Sequence, residues 1–404
     1  MNRLTVLFSA ACALLAVSCK NNANQTPQTS DVADEDSVRG PVVIRIDDIK
    51  PYYDVITREN IIEDVKYIPL ETNEKSLIGG GNIYKIGGNY VVEDREVYFR
   101  GVKVFGPDGS YIEDSLIIGN GPSELPMSCL PVHDFINKRL LYFGSGKVIM
   151  LDLTTHKKSV IRANVSLDLS NMTAVLGNGD LISPDNSVAQ RNNSEKGWHP
   201  LYYFLDSDFN VSDTVFSYRA LQRLIEGKTE FTVLTSNQVY KSDRRILCRS
   251  LESDTVFEVN NDRSFTPAII LDIPENLMPT VSNLSLDSRD QKAPMFYIRD
   301  LFESKDYVFV TYQHAGLFYT GIWEKESGRY VASSAASFGS TVIVPIDNAS
   351  YMYQYKIYSV EWETNTIVTS VPANVAKDQL PGLKPDDNPV VVEIKLKSPS
   401  ETAH

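Results

Sequence analysis

The side chains able to do chemistry are unevenly stocked in this chain. It has 52 Asp plus Glu, but only five His and four Cys in 404 residues. The histidines are His133, His156, His199, His314 and His404. None forms a His-x-His or His-x-x-x-His pair, so local spacing offers no zinc site. Neither Cys129 nor Cys248 lies in a Cys–His–Asn context, which leaves a catalytic thiol without support. Carboxylates are so abundant that any two could be spaced like a glycosidase pair, and abundance removes the specificity of that signal. A Gly-x-Ser-x-Gly elbow is absent. Asp206-Ser207-Asp208 lacks the spacing of a calcium loop. No metal and no cofactor is expected.

Ligand binding is a better fit to the residue types. Gly119-Asn120-Gly121-Pro122-Ser123-Glu124 is the most distinctive short motif. Two Gly before a Pro allow a sharp reversal, and Glu124 can then accept backbone N–H groups or reach a ligand. A structural corner is favoured over a ligand loop. The motif is no phosphate loop, because the Gly-Lys-Ser/Thr ending is missing. His133-Asp134 follows closely. Trp198 and Tyr297 stand out among many aromatics as rings that could stack on a sugar face, and Arg299-Asp300 supplies a polar pair beside the second. Aromatics packed between strands are the plainer reading of most of the 21 Tyr.

The elements that must position these residues are strands. Apolar residues alternate or run short from Val42 onward, and turn residues punctuate them every eight to twelve positions. Strands are predicted at 42–46, 64–69, 83–86, 90–93, 97–99, 102–105, 140–143, 148–153, 201–205, 255–259, 307–312, 317–324 and 390–396. Helix is confined to short stretches at 220–226 and 373–380. Asp213-Thr214-Val215-Phe216 recurs as Asp254-Thr255-Val256-Phe257, an offset of 41 residues, and Val104–Ile112 loosely matches Phe204–Ser212. Units of this length with about four strands suit a β-propeller, of six or seven blades by repeat length alone. Inner strands would line its central channel, with His133-Asp134 at the start of one. The strong strands Val42–Ile46 and Val390–Leu396 suggest that an N-terminal strand pairs into the last blade and hides two edges.

A formal net charge of −13 argues against a nucleic-acid partner. The apolar run Leu4–Val17 is too short to span a bilayer and reads as the core of an export signal. It ends in Leu15-Ala16-Val17-Ser18-Cys19, which resembles the lipobox of bacterial lipoproteins, where the cysteine is acylated and becomes the new N-terminus. Lys20–Pro41 is polar and without aromatics, a tether. Residues 1–18 are thus expected to be a lipoprotein signal peptide, 19–41 the lipidated Cys19 and tether, 42–397 the propeller, and 398–404 a tail. Cys129 and Cys248 remain open to a disulfide or to two free thiols.

Several ordered motifs resemble the six-bladed β-propeller lipoproteins of Bacteroidetes, a group similar in architecture to NHL-type propellers. These are Val65–Thr72, Val104–Gly109, Gly119–Glu124, Ser253–Val259 with Thr266-Pro267 and Leu271-Asp272, and Asp387–Val392. Tyr297 to Asp300 resembles a further recurrent segment. Ile117-Ile118 departs from the resemblance, which has a basic residue before the Gly-Pro loop. The resemblance implies an all-β six-bladed propeller of four-stranded antiparallel blades, closed by its N- and C-terminal strands. It implies an outer-membrane lipoprotein, periplasmic or on the cell surface, and fixes fold and compartment better than function; the expected role is a binding module for a glycan, a peptide or an envelope protein. Glu124, His133, Asp134, Trp198, Tyr297, Arg299 and Asp300 are the ligand-binding candidates. The alternative is a polysaccharide lyase or hydrolase with its site in the channel.

Overall fold

In a computed structural model, the described residues are 40–46, 61–94, 101–126, 129–163, 169, 173–184, 198–218, 237–250, 253–274, 297–314, 317–328, 330–336, 341–345, 352–377 and 380–399. Two strands come first, β1 (Val42–Arg45) and β2 (Ile62–Pro69). Blade 1 is β3 (Gly81–Ile86), β4 (Asn89–Asp94), β5 (Gly101–Phe105) and β6 (Tyr111–Asp114). A short parallel pair, β7 (Ile117–Ile118) and β8 (Glu124–Leu125), leads to blade 2. That blade is β9 (Val132–Asp134), β10 (Arg139–Gly144), β11 (Lys147–Asp152) and β12 (Lys158–Arg162). Blade 3 is β13 (Ala174–Val175), β14 (Leu181–Pro184), β15 (Trp198–Leu205) and β16 (Val211–Tyr218). Blade 4 is β17 (Asn237–Lys241), β18 (Ile246–Ser250), β19 (Thr255–Val259) and β20 (Phe265–Asp272). Blade 5 is β21 (Tyr297–Glu303), β22 (Tyr307–His314), β23 (Leu317–Glu324) and β24 (Tyr330–Ala336). After a hairpin of β25 (Thr341–Pro345) and β26 (Met352–Lys356), blade 6 begins with β27 (Ser359–Glu361) and β28 (Thr366–Val371). A short helix, α1 (Ala373–Ala376), precedes β29 (Val390–Leu396).

The chain thus forms a six-bladed propeller. Its sixth blade is completed from the front of the sequence: β2 pairs antiparallel with β29, from Ile62 opposite Leu396 to Pro69 opposite Val390. The pairing joins strands over 300 residues apart and covers the free edge of β29. Val42–Arg45 is not the closing strand. It adds to blade 4 as a fifth strand, parallel to β20 with Val42 opposite Ile269. Ile44 and Ile46 are buried in the seam between blades 4 and 5, and Trp323 Nε1 donates to Arg45 O at 3.3 Å. Strand strength reveals that a segment seeks an edge, but not which edge.

Position within a blade sets the apolar pattern. The third strand β29 is covered on both faces and reads as an almost continuous apolar run. The outer strand β2 keeps Ile62 and Ile68 inward while Glu63, Asp64 and Pro69 face out. Hydrophobic clusters fill the seams rather than a single centre, one to each of the six seams. At the closing seam Ile68, Val368 and Val391 of blade 6 meet Ile83, Tyr90 and Phe105 of blade 1.

The turn from third to fourth strand is the true repeat. Gly106 N bonds Ser110 O and Gly109 N bonds Gly106 O; Asp206–Asn210 and Asn260–Ser264 repeat that pattern. Gly109, Phe209 and Arg263 fill the same left-handed position, with φ of 87°, 65° and 67°. Gly is required at the first, because a Cβ there would lie 2.2 Å from Pro69 O. The Asp-Thr-Val-Phe recurrence is no blade repeat: one copy lies in outer strand β16, the other opens third strand β19. Of the two helical stretches, α1 covers four residues of the second, and 220–226 lies outside the described residues, as does the strand expected at 97–99.

Asn388 staples the closing seam. Its Nδ2 donates to Glu71 O at 2.7 Å and Ser76 O at 2.9 Å, and its Oδ1 accepts Ile78 N–H at 2.9 Å. The side chain is buried, so Asn388→Ala strands several backbone groups. The expected cost is about 2–4 kcal/mol of unfolding free energy in urea titrations, whereas an exposed change such as Lys66→Ala shifts stability by less than about 0.5 kcal/mol.

Candidate functional site

Inner strands of successive blades lie side by side around the axis: β9 beside β13, then β17, β21, β27 and β3. The Tyr84 and His133 rings, with centroids 4.3 Å apart, join β3 to β9. Polar side chains on these strands and their neighbours form the candidate site.

His133 and Asp134 are adjacent on β9 and face opposite seams, as strand alternation requires. His133 Nε2 lies 3.4 Å from Glu93 Oε1, with both groups buried. The other oxygen, Glu93 Oε2, accepts from Asn82 Nδ2 at 3.1 Å. Asp134 accepts two bonds from Arg139, from Nε at 2.9 Å and Nη2 at 2.7 Å, and a third from Asn137 N–H at 2.9 Å. Burial nonetheless holds the Asp134 carboxyl above the usual range, against those donors.

Lys241 closes β17 in blade 4. Its Nζ donates to Thr173 O at 3.0 Å, just ahead of β13 in blade 3. Burial pulls the ammonium down to about 8, while the charges of Glu93 and Asp134 work in the opposite direction. Glu93 belongs to blade 1 and Asp134 to blade 2, so charges on two other blades act on this group.

Arg299 and Asp300 sit on β21, half-buried and exposed respectively. Gln238 of β17 donates from Nε2 to Ile298 O at 2.9 Å and Arg299 O at 3.1 Å, stitching the inner strands of blades 4 and 5 together. Trp198 opens β15 and Tyr297 opens β21; their side chains lie outside the described residues, as does Cys19. Glu124 turns back on its own loop. Its Oε2 accepts Gly121 N–H at 2.8 Å, and a Cβ on Gly119 would lie 2.1 Å from that oxygen. Lys147 Nζ pins the same loop through Gly121 O at 2.8 Å. The Gly-Pro motif is thereby a self-contained corner between blades 1 and 2.

Two further charge groups lock seams. Lys85 Nζ meets Glu393 Oε1 at 2.5 Å and Glu361 Oε1 at 3.1 Å, and Tyr90 OH donates to Glu393 at 2.8 Å. Burial lowers the Lys85 ammonium, but the two carboxylates outweigh it and leave the group above its ordinary value. Arg245 pairs with Glu303 and with Glu258 at 2.8 Å, and Lys325 Nζ lies 3.7 Å from the Trp362 ring centroid. Cys129 and Cys248 are free thiols in separate seams, and burial pushes Cys248 up to about 12.

The structure therefore places His133 and Asp134 side by side on β9, facing opposite seams, and Arg299 and Asp300 on inner strand β21. Sequence reasoning missed Glu93, Lys241, Asn82 and Tyr84. Glu93 carried a usable signal, a carboxylate ending the apolar run Tyr90-Val91-Val92. Lys241 carried none, since a lysine ending a strand is ordinary.

The chain belongs to the family described as Domain of unknown function (DUF4934), whose profile matches residues 42–395. A solved structure of a protein from Bacteroides fragilis, described as exported, shares the fold with a TM-score of 0.60 and 15% identity, covering 88% of this chain and 99% of its own. A member of the duf4221 family from Bacteroides vulgatus matches with a TM-score of 0.45 and 8% identity over 84% of this chain and 99% of its own. No curated protein matches the sequence. No helix among the described residues is long and apolar enough to cross a membrane.

Lys241 gives the site a pH signature. Its proton is held less tightly in the fold, at about 8, than at the ordinary 10.5 of the unfolded chain. Between those values the unfolded chain binds the extra proton, so stability rises with pH through that window. Urea unfolding should show wild type gaining about 2–3 kcal/mol on Lys241→Met from the lower to the upper end of it. Parallel pH profiles for the two proteins would contradict the assignment.

Proposed function

We propose that this protein is an exported, lipid-anchored β-propeller that acts as a binding module in the cell envelope. Its ligand is a glycan or an envelope protein, held at the channel where the inner strands converge. The supporting observation is the set of buried polar groups on and beside the inner strands: Lys241 Nζ donates to Thr173 O between blades 4 and 3, and Glu93, His133 and Asp134 are buried on blades 1 and 2. Buried polar groups held by partners are pre-organised for recognition, since little ordering remains to oppose binding. Arg299, half-buried on inner strand β21, extends the polar lining toward blade 5.

Export and anchoring rest on Leu4–Val17 and Cys19, and the fold-sharing Bacteroides fragilis protein is itself described as exported. Acylation at Cys19 places the propeller on the periplasmic or outer side of the outer membrane, tethered by 20–41.

Full-length protein purified in detergent, probed on a glycan array and by co-purification with envelope proteins, tests the reading. Capture should weaken at least tenfold in Arg299→Ala, which is about 1.4 kcal/mol. Metabolic labelling with an alkyne fatty acid should mark the wild type and not Cys19→Ala. Capture indifferent to Arg299→Ala and to Lys241→Arg would place the ligand away from the channel, and an unlabelled wild type would remove the anchor.

A further inference from the structure

We propose that the outer rim of blades 1 and 2 is a membrane-contact surface, which lies against anionic lipid head groups. The inference rests on the anchored reading of the chain, since an acylated tether keeps this rim within reach of a lipid surface.

Blade 2 is the basic part of an acidic molecule. Residues 132–162 hold six Lys and Arg against two Asp, in a chain of formal net charge −13. Fields between exposed charges fade over about 8 Å at physiological salt, so the rim's own cations decide what it meets. Lys157, just before outer strand β12, and Arg162, at its end, are exposed and pair with no carboxylate among the described residues. The two acids that border the rim are already neutralised. Glu113 lies 3.4 Å from Lys158 Nζ, and Asp114 lies 2.8 Å from Lys103 Nζ.

Apolar side chains stand beside these cations. Ile117 and Ile118 of β7 are 51% and 53% exposed, and Val160 of β12 is 40% exposed. Lys147, Ile149 and Leu151 of β11 oppose Arg162, Val160 and Lys158. Ile149 and Leu151 pack in the seam between blades 1 and 2, so Lys158, Val160 and Arg162 lie on the same side of the sheet, at its rim. Residues 114–121 run along that rim, because both ends are pinned to blade 2. Lys158 Nζ donates to Asp114 O at 3.0 Å, and Lys147 Nζ donates to Gly121 O at 2.8 Å. Ile117 and Ile118 fall between the two pins, and Val160 falls between Lys158 and Arg162.

This mixture matches a lipid interface, where phosphates take the cations and the acyl boundary takes the isoleucines. Protein partners bury their anchors in fitted pockets, whereas side chains standing out from a rim suit a surface that yields to them.

Amide hydrogen exchange of the full-length protein tests the contact, compared between vesicles of phosphatidylcholine alone and vesicles of equal parts phosphatidylcholine and phosphatidylglycerol. Peptides covering 111–125 and 157–163 should exchange about fivefold more slowly on the anionic vesicles, while 265–272 of blade 4 exchanges alike on both. The difference should disappear at high salt and in the double variant Lys157→Glu, Arg162→Glu. Equal exchange of the rim on the two vesicle types overturns the proposal, even where fatty-acid labelling of Cys19 upholds the anchor. Unlabelled protein that still gains this protection on anionic vesicles upholds the rim contact and removes the anchor instead. Protection of the same peptides in detergent, whether it grows with protein concentration or follows a co-purified protein, assigns the rim to a protein partner and overturns the membrane contact.

Discussion

Everything in this molecule depends on one pairing, β2 against β29. Six wedges arranged around an axis have no central core; each is held only by its two neighbours. The ring is stable because its first and last blades are one covalent object, with the outer strand of blade 6 drawn from the segment that leads into blade 1. The register spans Ile62 to Pro69, and the seam beside it is reinforced by Asn388, by Tyr90 on Glu393 and by Lys85 between two carboxylates. The same lysine that would be costly alone is compatible with burial because its partners come from the blade it must grip.

The polar groups lie along successive blades. Glu93, Asp134, Thr173 and Lys241 belong to blades 1 to 4, and Lys241 Nζ bonds Thr173 O between the last two. The seams absorb the apolar side chains, which leaves the strand ends nearest the axis for polar ones. That division of labour explains why the strand carrying Val91 and Val92 into the seams also carries Glu93. It also explains why Lys241 is both half-buried and electrostatically strained: a charge at the axis is surrounded by backbone edges rather than by water.

The fold was largely legible in the sequence, and the site only in part. Third strands such as Val390–Leu396 and Thr255–Val259 were read to the residue, because β-branched and apolar residues fill most of each strand. Val42–Arg45 was placed on the wrong blade, since an alternating strand fits any edge. The Asp-Thr-Val-Phe recurrence misled because the same residues suit an outer strand and a third strand alike. His133 and Asp134 were found through their place after the Gly-Pro corner. Glu93 and Lys241 were not, because they lie 40 and 108 residues from the histidine and no local pattern links them. Glu124 stood out because it follows two glycines, and in the structure its carboxylate accepts the N–H of one of them, Gly121.

The central claim is that the propeller buries the Lys241 amine while the charges of Glu93 and Asp134 act on it from two other blades. The titration midpoint of Lys241 tests it most directly, read by NMR of 13C-methylated lysines and assigned with Lys241→Arg. The account predicts a midpoint near 8, falling further in Glu93→Gln, because that change removes a charge that favours the ammonium. A midpoint at the ordinary lysine value, unmoved by Glu93→Gln, would contradict it.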